Sequence, residues 1–142
     1  MIDISCQWQS KMTFQAEIDG HSLTLDASPK GGGEDKGPRP KSLLLGGLAG
    51  CTGMDVVSLL NKMRVAFSDF KIKVSGDITD EHPRIFKKIH ISYFITGRDI
   101  DKSKVEKAVQ LSQEKYCGVA AMMRPVSEIS FDIQVIEEQI LV

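Results

Sequence analysis

The fold of this chain is decided by residues 37–60, which read GPRPKSLLLGGLAGCTGMDVVSLL. Pro38 and Pro40 suit the start of a helix, because the first N–H groups of a helix have no partner within it. After Ser42 the stretch is apolar or small on nearly every helical face. This composition predicts a long helix that is buried on all sides.

The predicted helix contains four glycines, at Gly46, Gly47, Gly50 and Gly53. Each glycine costs a helix about 1 kcal/mol relative to alanine. A sequence keeps such residues where another backbone or a ligand must approach closely. The rest of the chain predicts only short strands and one amphipathic helix, which is too little to cover this helix. We therefore expect a second copy of the chain to cover it, with the two helices meeting through their glycines.

The length and composition favour one soluble domain over residues 1–142, with 42% hydrophobic and 26% charged residues. A net charge of -1 gives no reason to expect a nucleic acid or an anionic membrane as partner. Residues 43–60 approach the length of a membrane span, but Asp55 and the glycines favour a buried soluble helix. The first residues lack the pattern of a secretory leader, so we expect a cytoplasmic protein.

Alternation of apolar and polar residues predicts six strands, at residues 2–8, 12–18, 22–26, 70–74, 89–95 and 129–135. Asp19-Gly20 is a strong hairpin signal between the second and third strands. Asp99 or Asp101 is expected to cap a second helix, whose apolar positions include Val105 and continue to Tyr116. Cys117-Gly118 interrupts that helix, and Pro125 ends a further short turn. This order of elements predicts an α+β fold.

Two cysteines, Cys51 and Cys117, both lie in helical contexts, 66 positions apart. Free cysteines are among the most buried residues, so each thiol alone favours a packing role. Cys117, however, lies where one helix breaks and another begins, where backbone N–H groups can stabilise a thiolate. Two thiols on different elements are also suited to peroxide chemistry, in which one becomes a sulfenic acid that the other captures as a disulfide. Cys6 is interpreted as structural, and the absence of a C-x-x-C pair argues against a zinc site.

Three charged residues are candidates for supporting these thiols. Asp55 lies four residues after Cys51 and shares its helix face, where it can bond within a site or to a neighbouring backbone or subunit. Arg39 lies at the start of the helix, where it can bind an anion or lower a thiol pKa, or simply be an exposed loop residue. Glu114, three residues before Cys117, is either a supporting residue or part of a solvated face. The histidines have no ligand-like spacing and are interpreted as turn or strand residues: His21, His82 and His90.

The sequences around both cysteines resemble motifs of the OsmC/Ohr family. Pro38-Arg39-Pro40 precedes AGCTGMDVV at residues 49–57, and SQEKYCGVA follows at residues 112–120. PRIF at residues 83–86 and ITGRD at residues 95–99 extend the likeness to the OsmC-like (YhfA-type) branch. The resemblance covers nearly the whole chain and has both cysteine motifs in the family's order.

The resemblance implies an OsmC-like fold, with antiparallel sheets wrapped around a long buried central helix in an intertwined homodimer. It also implies reduction of small organic hydroperoxides in oxidative-stress defence, with Cys51 as the peroxide-attacking thiol and Cys117 as the resolving thiol. A dithiol such as a lipoyl group would reduce the disulfide again. The resemblance implies no metal and no bound organic cofactor.

Two departures from the family pattern concern the groups that activate the thiol. Active hydroperoxidases of the family keep a glutamate directly after the proline before the first cysteine motif, whereas Lys41 follows Pro40 here. They also use an arginine from the N-terminal hairpin, where this chain has only Lys11 and its first arginine is Arg39. These differences favour an alternative, a redox-sensing or small-molecule-binding dimer with little turnover. A third hypothesis is a structural dimer whose cysteines only pack.

Overall fold

The computed structural model describes residues 1–139, which form two compact units that divide after Leu44. The first unit holds an antiparallel sheet in the order β1 (Ser5–Ser10), β2 (Thr13–Ile18) and β3 (His21–Leu25). Asp19 and Gly20 join β2 to β3 with φ angles of 51° and 79°. Positive φ at both positions is typical of the type I′ hairpin turn, so the predicted hairpin is confirmed.

The loop after β3 is organised around the carboxylate of Asp26, which is only 2% exposed. It accepts hydrogen bonds from Thr13 Oγ1 at 3.1 Å and from the backbone N–H groups of Ala27, Glu34 and Lys36. Burial by itself would raise the pKa of Asp26, but these hydrogen bonds outweigh it and hold the pKa below its ordinary value. The ionised carboxylate thus replaces regular secondary structure as the anchor of this loop, which also contains a short 3-10 helix, Pro29–Gly31.

The second unit combines one sheet with helices. Helix α1 (Pro40–Lys62) begins in the first unit and continues through the second. Then follow β4 (Asp69–Ile78), β5 (Phe86–Gly97), α2 (Lys102–Leu111), a π-helical turn (Ser112–Tyr116), α3 (Gly118–Met123) and β6 (Glu128–Glu137). Asp101 caps α2 by accepting a hydrogen bond from the backbone N–H of Ser103 at 3.0 Å, as one of the two expected caps. The predicted α+β order of elements is confirmed.

One strand pairing in this sheet differs from the expected antiparallel arrangement. The sheet order is β4-β5-β6; β4 and β5 are antiparallel, but β5 and β6 are parallel. Parallel neighbours need a long crossover connection, and α2, the π-helical turn and α3 provide it. Strand periodicity reports which residues are buried and carries no information on strand direction.

Helix α1 contributes one buried stripe to the core of the second unit. Leu48, Thr52, Val56 and Leu60, spaced four residues apart, are each 0% exposed. Their apolar members share a core cluster with buried side chains of β5 and α2: Ile89, Ile91, Tyr93, Ile95, Val105, Ala108 and Val109.

The other side of α1 is uncovered, as expected for a helix that the single chain is too small to bury on all sides. Met54 is 76% exposed. A Cβ built on Gly46, Gly47 or Gly50 would meet nothing within 4 Å. One small sheet covers one helix face only. By length and composition α1 would also suit a membrane span, but its buried stripe is that of a core helix. The second copy expected to cover the glycine side stays a prediction.

Truncating the buried stripe tests this account of the core. Leu60→Ala is expected to lower the free energy of unfolding by about 2–5 kcal/mol, because it leaves a cavity beneath α1. Lys107→Ala, on the exposed side of α2, is the control and should change stability by less than about 0.5 kcal/mol. Chemical denaturation of both variants measures the difference. Equal stability of the two variants would contradict the assignment of Leu60 to the core.

Candidate thiol site

The second unit brings together three of the residues singled out in the sequence. The Sγ atoms of Cys51 and Cys117 and a carboxylate oxygen of Asp55 all lie within 4.8 Å of one another. Cys51 and Asp55 come from successive turns of α1, so the i, i+4 spacing places both on one face. Cys51 and Asp55 are half-buried, and Cys117 is only 3% exposed. Two thiols 66 positions apart in sequence are therefore neighbours in the fold.

The π-helical turn places Cys117 opposite α1. Its last hydrogen bond runs from the backbone N–H of Cys117 to the carbonyl of Ser112 at 2.7 Å. Cys117 then adopts an extended backbone, with φ -73° and ψ 100°, and becomes the N-cap of α3. Its Sγ accepts a hydrogen bond from the backbone N–H of Ala120 at 3.4 Å. The break predicted at Cys117-Gly118 is confirmed, and a π-helical turn is a frequent feature of functional sites.

The same turn changes the position of Tyr116. Uninterrupted helical spacing places Tyr116 among the apolar positions of the second helix, but its side chain is 49% exposed. A π-helical turn holds more residues than an α-turn, so the residues after Ser112 are rotated away from their α-helical positions. As a result, Tyr116 lies on the exposed side of the turn and Cys117 lies on the side that faces the core.

The environment of Cys117 favours its protonated form. Burial raises the pKa of the Cys117 thiol to about 11, and neighbouring Cys51 and Asp55 act in the same direction. The hydrogen bond from the Ala120 N–H opposes this effect without cancelling it. Near neutral pH, Cys117 is therefore a thiol.

A buried network of hydroxyl and amide groups lies directly behind the three residues. Ser112 Oγ donates to Asp55 Oδ2 at 2.9 Å and lies 2.8 Å from Thr52 Oγ1. Thr52 Oγ1 also lies 2.7 Å from the hydroxyl of Tyr93, to which Gln113 Nε2 donates at 2.8 Å. The carboxylate beside the thiols is thus held by a chain of hydrogen bonds that reaches into the core.

Sequence reasoning missed this network. Thr52, Tyr93, Ser112 and Gln113 carry no recognisable motif of their own, although Thr52, Ser112 and Gln113 fall inside the two cysteine motifs. The available signal was a set of polar residues at positions that periodicity assigned to the core, because buried polar groups need partners.

Two of the charged residues proposed to support the thiols, Arg39 and Glu114, do not belong to the cluster of Cys51, Asp55 and Cys117. Arg39 belongs to the first unit, where its guanidinium pairs with Asp35 Oδ1 at 2.6 Å and donates to the Gly37 carbonyl at 3.0 Å. Glu114 is exposed on the π-helical turn, as a solvated face requires. The supporting roles of Arg39 and Glu114 at the thiols stay predictions.

Cys6 and His90 are not members of the cluster formed by Cys51, Asp55 and Cys117. Cys6 is exposed on β1. His90 Nε2 lies 2.6 Å from Asp132 Oδ1 on the exposed face of the second sheet, so His90 is a strand residue, as predicted.

An open apolar groove of about 740 Å³ runs along the uncovered side of α1. Residues of α1 and β4 line it: Ala49, Gly50, Gly53, Met54, Val57, Ser58, Asn61, Phe70 and Ile72. The groove therefore joins the glycine side of the helix to the edge of the second sheet.

Comparison with known proteins identifies the family. The family model described as OsmC-like protein matches residues 33–132. The chain belongs to the OsmC/Ohr family. Protein YhfA of Escherichia coli strain K12 is 36% identical over 131 residues, which cover 92% of this chain and 95% of YhfA. The predicted resemblance to the OsmC-like, YhfA-type branch is confirmed.

Solved structures agree on the fold of this OsmC-like protein. A hypothetical protein from Aquifex aeolicus VF5 aligns with a TM-score of 0.87 and 32% identity, covering 98% of both chains. A Legionella pneumophila protein described as organic hydroperoxide resistance protein OsmC, a predicted redox protein, aligns with a TM-score of 0.72. Its 18% identity, over 95% of this chain and 97% of that chain, shows the shared fold alone.

The Tyr93 hydroxyl provides a test of the network. Burial raises the pKa of Tyr93, and the hydrogen bonds with Thr52 and Gln113 only partly offset this. The folded state then holds the phenol proton more tightly than the unfolded state, so stability is lost as pH rises above about 10. Tyr93→Phe should make this alkaline decline less steep. At pH 7 it should cost about 1–3 kcal/mol, because Thr52 and Gln113 lose a partner.

Urea denaturation of wild type and Tyr93→Phe between pH 7 and pH 10.5 measures both effects. Tyr116→Phe, which changes an exposed ring, is the control for the loss of stability at pH 7. Parallel alkaline declines in wild type and Tyr93→Phe would argue against a buried, neutral Tyr93 hydroxyl.

Proposed function

We propose that this OsmC-like protein is a thiol-dependent peroxidase that reduces organic hydroperoxides through Cys51 and Cys117. The observation that carries the proposal is the meeting of the two thiols, which come from α1 and from the start of α3 and lie within 4.8 Å. The Legionella pneumophila protein of the same fold is an organic hydroperoxide resistance protein, which supports the same chemistry.

The exposure of the two thiols supports a different role for each in the proposed reaction. Cys51 is half-buried and lies nearer to solvent than Cys117, which is 3% exposed. Since the thiolate is the nucleophile, the raised pKa of Cys117 makes it the poorer attacking group. Cys51 is therefore the attacking residue, and Cys117 is a protonated thiol held beside it for the second step.

The reaction balances with two thiols and one hydroperoxide. The Cys51 thiolate attacks one peroxide oxygen, the O–O bond breaks, and an alcohol leaves after taking up a proton. Cys51 becomes a sulfenic acid. Cys117 then attacks the sulfenic sulfur; its own proton and the sulfenic hydroxyl leave as water, and a disulfide forms. A small dithiol of the lipoyl type takes up the oxidising equivalents and regenerates both thiols.

A peroxidase assay with three cysteine variants tests the proposal. With cumene hydroperoxide and dihydrolipoamide, Cys51→Ser should lower turnover at least about 1000-fold, because it removes the nucleophile. Cys117→Ser should stop cycling after one event and accumulate a sulfenic acid that mass spectrometry detects. Cys6→Ser changes an exposed cysteine outside the site and should match wild type. Equal turnover in wild type and Cys51→Ser would refute the proposal, and unreactive thiols would favour a structural dimer.

A second candidate function is redox sensing or small-molecule binding with little turnover. The observation in its favour is the set of charges that replaces the family's activating pair. Lys41 stands after Pro40 and is exposed. Arg39 pairs with Asp35, and Lys11 of the hairpin pairs with Glu34 at 3.4 Å. The same assay separates the two candidates, because a sensor oxidises once per chain without multiple turnovers.

We also propose that two copies of the chain associate through the uncovered side of α1. Support comes from the apolar groove along this side and from the open space at Gly46, Gly47 and Gly50. Glycines permit close approach of two helices, which would bury apolar surface that the single chain exposes.

Replacing one of these glycines tests the association. Gly50→Leu should fold, because a Cβ at Gly50 meets nothing within 4 Å and leucine favours a helix. It should weaken dimerisation at least about 10-fold by separating the two helices. Lys107→Leu adds the same side chain to the exposed side of α2 and serves as the control. Sedimentation at micromolar concentration measures the state, and a monomeric wild type would contradict the association.

A further inference from the structure

The three groups of the thiol site also form a set of metal ligands. The Sγ atoms of Cys51 and Cys117 and a carboxylate oxygen of Asp55 are mutually within 4.8 Å. Around a tetrahedral zinc ion, with Zn–S near 2.3 Å and Zn–O near 2.0–2.2 Å, neighbouring ligand atoms lie about 3.5–3.8 Å apart. Small side-chain rotations would bring the three ligand atoms from their present separations to these tetrahedral distances. We infer that the reduced protein binds one zinc ion per chain at Cys51, Asp55 and Cys117.

The chemistry of the donors selects the metal. Thiolates prefer zinc and softer ions, whereas calcium and magnesium need an all-oxygen environment. Two thiolates and one carboxylate together carry three negative charges, and a divalent cation neutralises two of them. On binding, both thiols release their protons to solvent, and no electrons are transferred. Three protein ligands leave the fourth tetrahedral position to a water molecule.

Neighbouring hydroxyl groups hold the Asp55 carboxylate in place as a metal ligand. Ser112 Oγ donates to Asp55 Oδ2 at 2.9 Å, and Ser112 is itself held by Thr52 at 2.8 Å. Such hydrogen bonds to a ligating carboxylate fix its orientation and are typical of metal sites in proteins. The cluster therefore contains an oriented carboxylate in addition to its two thiols.

The sequence pattern concealed this site. The expectation of no zinc site rested on the absence of a C-x-x-C pair. Here the spacing is i, i+4 on a helix for Cys51 and Asp55, and the third ligand comes from the start of α3. A site assembled from separate elements leaves no short motif.

Zinc binding goes beyond the proposed peroxidase function and does not depend on it. The two chemistries use the same sulfur atoms, so zinc would occupy the thiols that a hydroperoxide must reach. Oxidation to the disulfide would in turn remove two ligands. We therefore expect zinc to inhibit the peroxidase reversibly, and we expect the disulfide form to bind zinc at least about 100-fold more weakly than the reduced form.

Cobalt(II) is the probe, because thiolate ligation gives it an intense sulfur-to-metal charge-transfer absorption. The full-length, reduced protein should develop this absorption with one equivalent of Co²⁺ per chain, and Zn²⁺ should displace it. Cys51→Ser and Cys117→Ser should each lower the absorption and the affinity at least about 10-fold. Asp55→Asn keeps an acceptor for Ser112 and should weaken zinc binding about 10- to 100-fold.

Cys6→Ser is the matched control and should bind cobalt as wild type does, because Cys6 is exposed on β1. The inference is overturned if Cys51→Ser or Cys117→Ser binds with wild-type affinity and absorption. It is also overturned if the disulfide form binds equally well, or if no thiolate absorption develops. Circular dichroism of each variant shows whether it is folded. Peroxidase activity measured with a chelator present is a separate result, so either proposal can fail alone.

Discussion

The hydroxyl of Thr52 is the contact on which the arrangement of the second unit depends. It joins three elements at one buried point, because it lies 2.7 Å from the Tyr93 hydroxyl on β5 and 2.8 Å from Ser112 Oγ on the π-helical turn. Buried polar groups are costly without partners, so these elements must meet in this register. Within residues 1–139, each buried side-chain nitrogen or oxygen has a hydrogen-bond partner.

The position of Thr52 also determines the position of the thiol. Each helical residue is rotated by about 100° from the one before it, so Cys51 lies beside the buried stripe that Thr52 belongs to. Cys51 is therefore half-buried: the core holds it on one side, and it is reachable on the other. Asp55, one turn further, shares this position and is held by Ser112. The site is thus a consequence of how α1 packs.

The sequence predicted where the helices and strands lie better than it predicted which of them pair or pack together. Strand alternation, the Asp19-Gly20 turn and the break at Cys117 are local signals, and the structure confirms them. The family motifs predicted that Cys51 and Cys117 act together, and the structure brings their sulfurs within 4.8 Å. The parallel pairing of β6 and the Thr52–Tyr93 contact join residues distant in sequence, and periodicity says nothing about them. The open side of α1 was expected from the small number of other elements, but composition alone does not say what covers it.

The proposed disulfide would act on the start of α3. To form a disulfide, the two sulfurs must close from within 4.8 Å to about 2.05 Å. Any movement of the Cys117 sulfur acts on its hydrogen bond from the Ala120 N–H, the contact that caps a helix of only six residues. A helix this short is marginal without its cap and its packing. Ala120 itself is fully buried, and the π-helical turn lies directly before Cys117. That turn is also the source of Ser112, so a shift of Cys117 toward Cys51 acts directly on the hydrogen bond that orients Asp55.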